Sequence, residues 1–287
     1  MTAARLGASV ESPPVALVTG CSTGIGREAV GQLAEAGFLV VATARQAADI
    51  ADLAAPGRVE TEVLDVTKAA DRKRVVAAVL RRHGRIDALV NNAGWGVVAA
   101  AEETTPDLMQ RIFDTNLFGL HELTRLVLPA MREAGRGRVV NVSSLSGHIA
   151  VPMMSAYCAT KFALRALTLA MDVEVRPHGL RAVLVEPGFV KTGFGARSTK
   201  ETLAAVADRG ASPYAALHAK WAKRRAGSHG AAPGKVARCI VKACRARRPR
   251  IHYYVPLHGK VLNLLKRWLP DAWWTAYFVS RSRTVRR

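Results

Sequence analysis

Tyr157 and Lys161, in the run Y-C-A-T-K, stand four residues apart, so on a helix they share one face. A phenol titrates near ~10, too high for an efficient base at neutral pH. A neighbouring ammonium favours the phenolate and lowers that value, and Lys161 can supply the charge. Ser144 lies thirteen residues before Tyr157 in N-V-S-S-L-S-G. Its hydroxyl could donate a hydrogen bond to an oxygen on which charge develops. Its spacing to Tyr157 favours it over Ser143 and Ser146. Each residue also has a plainer reading: Tyr157 as a packed aromatic, Lys161 as a solvated helix charge, Ser144 as a strand-end cap. What gives the set weight is a glycine-rich run near the start of the chain, T-G-C-S-T-G-I-G at 19–26.

That run must be placed by its neighbours. Val15–Thr19 is a short apolar stretch that reads as a buried strand. Gly24–Ala36 follows with helical spacing through Ile25, Val30 and Leu33. A strand, then Gly20, Gly24 and Gly26, then a helix is the context a dinucleotide-binding loop requires. The glycines permit a tight turn and let the backbone approach a pyrophosphate resting at the helix N-terminus. The next strand, Phe38–Thr43, decides the ribose. An acid at its end would bind the 2′-hydroxyl of NAD, whereas a base would accept the 2′-phosphate of NADP. The sequence reads V-V-A-T-A-R, with Arg45 immediately after the strand and no acid until Asp49. A planar guanidinium suits a phosphate, so NADP(H) is the expected cofactor and NAD(H) the alternative.

Strand and helix signals continue to alternate. Further strands are expected at Val59–Leu64, Ile86–Asn91, Arg138–Ser143, Leu180–Val185 and Ile251–Val255. Helices are expected at Lys68–Arg82, Leu108–Met131, Ser155–Val175 and around Val261–Trp268. Alternation at these lengths implies βαβ units and a parallel sheet, and near-continuously apolar strands imply helices on both faces. The fold class is therefore α/β: a Rossmann-type, doubly wound parallel sheet in three α/β/α layers, built as a single domain. It is expected to span 15–258 after a disordered leader at 1–14. Substrate-binding helices are placed at 193–232, and a basic, aromatic C-terminal extension at 259–287.

At this point the chain resembles the classical short-chain dehydrogenases/reductases. The resemblance covers roughly residues 15–193 and rests on motifs in order. They are the loop at 19–26, L-D-V-T (64–67), N-N-A-G (91–94), Asn116 in D-T-N-L-F-G, V-S-S (142–144), Y-C-A-T-K (157–161) and E-P-G-F-V-K-T (186–192). It is most similar to the hydroxysteroid and retinol dehydrogenase branch. The resemblance implies an NADP-dependent alcohol/carbonyl oxidoreductase with Ser144, Tyr157 and Lys161 as catalytic residues and Asn116 as the anchor of a proton-relay water. It implies that Ser22, Thr23 and Ile25 join the glycines around the cofactor, that Asp65 and Val66 meet the adenine, and that Asn91, Asn92 and the Ala93–Gly94 backbone line the cofactor. Pro187 and Gly188 are expected beside it, Val190 and Thr192 at the carboxamide, and Lys161 on the nicotinamide ribose. Family members form the substrate pocket from segments after the serine, after P-G and near the C-terminus. Here these supply His148, Val151, Met153, Met154, Phe189 and Phe194, a mostly apolar set suited to a lipophilic alcohol or ketone.

The chain has 287 residues and a formal charge of +20. Residues 1–196 hold 21 Lys/Arg against 19 Asp/Glu, whereas 197–287 hold 21 against only Glu201, Asp208 and Asp271. The basic excess belongs to the C-terminal third, which suggests an anionic partner or a solubilising surface; nucleic acid is not expected. The extension V-L-N-L-L-K-R-W-L-P-D-A-W-W-T-A-Y-F-V mixes an apolar face with Lys/Arg. It suits a pocket cover, a subunit contact or a peripheral membrane contact. No stretch approaches about 18 uninterrupted apolar residues, so no spanning helix is expected. Cys21, Cys158, Cys239 and Cys244 fit neither a zinc site nor a disulfide framework, which suits reduced thiols and a cytoplasmic location. No metal is expected, and a homodimer or homotetramer is expected from the resemblance.

Overall fold

The computed structural model describes residues 12–194, 198, 202, 212–226, 230–256 and 258–282. Most of the expected leader and much of the segment 193–232 lie outside these residues.

Seven strands form one sheet: β1 (Val15–Thr19), β2 (Leu39–Ala44), β3 (Val59–Val63), β4 (Ala88–Asn91), β5 (Gly137–Val142), β6 (Leu180–Pro187) and β7 (His252–Val255). Their order is β3-β2-β1-β4-β5-β6-β7, and every neighbouring pair is parallel. Continuous apolar runs are required because alternate residues feed opposite cores. Ala16 and Val18 pack with α1 (Gly24–Glu35) on one face, while Val15 and Leu17 pack with α2 (Ala69–His83) on the other.

The expected long helix at 108–131 is divided. Thr105 caps α3 (Pro106–Phe113) by accepting from Leu108 N at 3.2 Å, which starts the helix earlier. A π turn, Asp114–Phe118, joins it to α4 (Gly119–Glu133) without leaving helical backbone. At the join, a Cβ on Gly119 would stand 2.4 Å from the Val66 carbonyl. The helix thus passes against the loop after β3, an approach that only glycine permits. α5 (Ser155–Val175) runs unbroken, as expected. Beyond β6 come α6 (Ala215–Ala226), α7 (Pro233–Arg245), and two helices in the extension, α8 (His258–Trp268) and α9 (Asp271–Ser282). α7 covers the same face as α1 through Val236, Ala237 and Ile240.

The order reverses at β1 and β4, and in such sheets ligands bind in the crevice beyond the strand C-termini. Gly20, Arg45, Asp65, Asn92, Ser144 and Pro256 each lie just past the end of a different strand, and all six line one cavity.

Candidate active site

The cavity holds about 1430 Å³, more than the ~300–1,000 Å³ of an ordinary small-molecule site and enough for a dinucleotide with a substrate beside it. Its floor is the glycine loop. Gly20 and Gly24 hold φ of +73° and +62°, the left-handed region glycine favours. A Cβ on Gly26 would stand 2.3 Å from the Gly20 carbonyl. At the start of α1, Thr23 makes no side-chain cap and the first turn has no acid, so the helix N–H groups and positive dipole end are left for an anion. These features fit a pyrophosphate.

Asn92 fixes the loop. Its amide donates to Thr19 O at 2.9 Å and Gly20 O at 3.0 Å, while Thr19 Oγ1 accepts from the backbone of Asn92 and Ala93, both at 3.0 Å. Asn91 is corrected: it is buried, and its amide donates to Thr124 Oγ1 (2.9 Å) and Asn141 Oδ1 (2.8 Å) beneath the sheet end. Strand alternation explains the difference, because consecutive side chains leave opposite faces. Only the second asparagine reaches the cavity, which Ala93 and Gly94 also line. Arg45 is exposed at the rim. Asp65 and Val66 line the same end, with Asp65 Oδ1 accepting from Thr67 N at 3.0 Å and Oγ1 at 2.8 Å. Ser22, Thr23, Ile25, Pro187, Gly188, Val190 and Thr192 all border the cavity.

At the other end stand Ser144, Tyr157 and Lys161, all nearly buried at 8%, 7% and 5% exposure. Tyr157 and Ser144 line the same wall of the cavity. The Ser144 hydroxyl also donates to Pro187 O at 3.4 Å and accepts from Ser146 N at 3.1 Å. The Lys161 ammonium lies 5.7 Å from the centre of the Tyr157 ring and donates to Val142 O at 3.0 Å. The expected lowering of the phenol is not what the protein alone produces. Burial pushes Tyr157 up to about 12, opposed chiefly by Ser144, and burial brings Lys161 down to about 8. The ammonium donates to a backbone carbonyl rather than to the phenol, and burial prevails.

Asn116, in the π turn, is wholly buried. Its amide donates to Trp95 O at 2.9 Å and Thr160 Oγ1 at 3.2 Å, and its oxygen accepts from Trp95 N at 3.0 Å. It does not line the cavity; it clamps Trp95, which does.

The substrate end keeps Val151, Met154, Phe189 and Phe194. Phe194 meets Tyr157 edge-on, 5.8 Å between ring centres. Two expected residues are corrected. Met153 turns away at φ +66° into a cluster with Val98 and Ala100. His148 is buried behind the wall, its Nε2 2.5 Å from Glu186 Oε1, while His252 Nδ1 lies 2.8 Å from Glu186 Oε2. This brace joins the turn after Ser144 to β6 and β7, and both histidines hold the Glu186 carboxyl below its usual range against the opposing effect of burial. Sequence reading did not single out Trp95 and Trp221, which also line the cavity, as do Trp274, Tyr277 and Phe278 of the extension for which a pocket cover was one expectation. The last three recur at i, i+3 and i+4, a spacing that places them on one face of α9.

Fold and site together define a doubly wound, nicotinamide-dependent oxidoreductase. The chain belongs to the short chain dehydrogenase family, whose signature matches residues 14–203. It is 33% identical to the 3-ketodihydrosphingosine reductase of Bacteroides thetaiotaomicron over 90% of this chain and 94% of that one. It is 34% identical to human 17-beta-hydroxysteroid dehydrogenase type 1 over 94% and 85%. A solved metagenomic short-chain oxidoreductase in complex with NADP superposes with a TM-score of 0.67 at 29% identity, over 85% of this chain and 97% of that one. The chain is thus an oxidoreductase of CH–OH groups with a nicotinamide cofactor. Among the described residues, no helix is long and apolar enough to cross a membrane.

Proposed function

We propose that the chain interconverts a secondary or primary alcohol and the corresponding ketone or aldehyde of a lipophilic substrate, using NADP(H), with Tyr157 as acid/base. The observation that carries this reading is that Ser144, Tyr157 and Lys161 line the wall of the cavity whose floor is the glycine loop. The start of α1 would hold the pyrophosphate, Arg45 the 2′-phosphate, Asp65 and Val66 the adenine, Lys161 the nicotinamide ribose, and Val190 and Thr192 the carboxamide. When bound, the nicotinamide supplies a hydride to the carbonyl carbon or takes one back from the carbinol. Ser144 and Tyr157 donate hydrogen bonds to the substrate oxygen. In reduction the Tyr157 proton passes to that oxygen as negative charge builds there, and in oxidation it returns to the phenolate. With the phenol pushed up to about 12 by burial, the proton is in place at neutral pH for reduction. Oxidation is therefore expected to climb with pH.

The substrate class is supported by the apolar wall of Val151, Met154, Phe189, Phe194 and the α9 aromatics. The names of the bacterial and human relatives, a sphingoid and a steroid enzyme, point the same way. The test is a panel of steroids, retinoids, fatty aldehydes and β-ketoacyl thioesters, followed by NADPH absorbance. Tyr157→Phe should lower turnover by roughly 10²–10⁴-fold with NADPH affinity kept. Substantial remaining activity would refute the role. Bound NADPH with no turnover of any carbonyl would favour a redox sensor.

A further inference from the structure

α8 carries its apolar stripe on the outside. Val261, Leu264, Leu265 and Trp268 recur at i, i+3, i+4 and i+7, the spacing by which a helix normally faces a core. Here they are 58%, 56%, 48% and 79% exposed. The adjoining α9 adds Trp273, Tyr277 and Val279 to the exposed apolar surface. α9 also turns Trp274, Tyr277 and Phe278 to the cavity. The apolar face therefore borders the mouth of the pocket. A patch of this kind marks an interaction site, and the charge around it selects the partner. From α8 onward the sequence carries Lys260, Lys266, Arg267, Arg281, Arg283, Arg286 and Arg287 against Asp271 alone. A second copy of the chain would bring a segment of the same positive net charge against this one. An anionic lipid surface complements them, and tryptophan beside lysine is the composition of helices that lie in a membrane interface.

We infer that α8 and α9 dock the protein flat on an anionic bilayer, with the pocket mouth toward the lipid. α8 has 11 residues, too short to span and long enough to lie in the headgroup region. Gly259, at its start, packs against Leu145, where a Cβ would stand 2.8 Å from Leu145 Cδ2. A docked α8 is thus tied directly to the turn that follows Ser144. Docking itself does not depend on the reaction proposed above; delivery of a lipid substrate from the bilayer rests on it.

The test uses the full chain and vesicles of equimolar phosphatidylcholine and phosphatidylglycerol, with pure phosphatidylcholine as comparison. Co-sedimentation is expected with the anionic vesicles, weakened by added salt, and reduced about tenfold or more in Leu264→Ser/Trp268→Ser. Both residues are exposed and neither lines the cavity, so the variant should keep NADPH binding and turnover of a short, water-soluble ketone. Wild-type protein that stays in the supernatant overturns the inference. So does equal vesicle binding by wild type and variant. Dissociation of a wild-type dimer to monomers by the same substitutions would assign the face to a second copy and likewise overturn it. Vesicle binding without carbonyl turnover would leave docking standing and sink only the proposed reaction.

Discussion

Two cations decide how this site is read, and they lie at opposite ends of the cavity. Lys161 is buried with its ammonium on a backbone carbonyl, and burial lowers it to about 8 from an ordinary 10.5. The unfolded chain then binds more protons than the folded one between those values, so stability rises with pH across that window. Below about 8 both states are protonated and the full penalty remains, on the order of 3 kcal/mol. Lys161→Met forfeits one hydrogen bond, worth about 1 kcal/mol. The cofactor-free variant should therefore melt higher than wild type at pH 7, and the gap should close as pH approaches 10.5. A lower melting point at pH 7 would show that the ammonium stabilises the fold. Arg45, exposed at the rim, should act on ligand choice instead: Arg45→Ala is expected to weaken NADPH binding by tenfold or more, and NADH binding little, in paired titrations. Equal losses would remove the 2′-phosphate assignment. Both cations were legible by position. The orientation of Asn91, His148 and Met153 was not, because it depends on which face a strand end or turn presents, and spacing alone does not say.

At the scale of elements, the interior strands were legible because each is a short, mostly apolar run, whereas the edge strand β3 reads V-E-T-E-V with both glutamates half-buried; the runs predicted the parallel sheet. α5 was legible to its ends, since no residue inside it interrupts the apolar spacing. The division of 106–133 was not legible. The π turn keeps helical dihedrals on both sides, so its hydrophobic spacing reads as one helix. Its cause is tertiary: Gly119 lies against Val66 O, and Asn116 is drawn inward to clamp Trp95. Such turns recur at functional sites, and here the helix is pressed on the loop after β3. Gly119→Ala should force that loop away, costing about 1–3 kcal/mol of stability and weakening NADPH binding. Both are readable by denaturant unfolding and fluorescence titration. Unchanged affinity with lost stability would confine the contact to packing.

At the scale of the molecule, the asymmetric charge was visible in composition, but the outward apolar face of α8 was not. Helical spacing shows that a stripe exists without showing what covers it. The shared floor of the cavity comes from residues before Gly188, and most of its aromatic wall comes from residues after it. Gly188 N donates to Val255 O at 2.7 Å, so this boundary is also where the late strand is stitched to the early sheet. The chain has in effect a single seam. A graft made a few residues on, beyond Thr192, would exchange most of that aromatic wall while leaving the glycine loop, Ser144, Tyr157 and Lys161 in place, and a family built this way can diversify its substrates by exchanging one contiguous stretch of sequence.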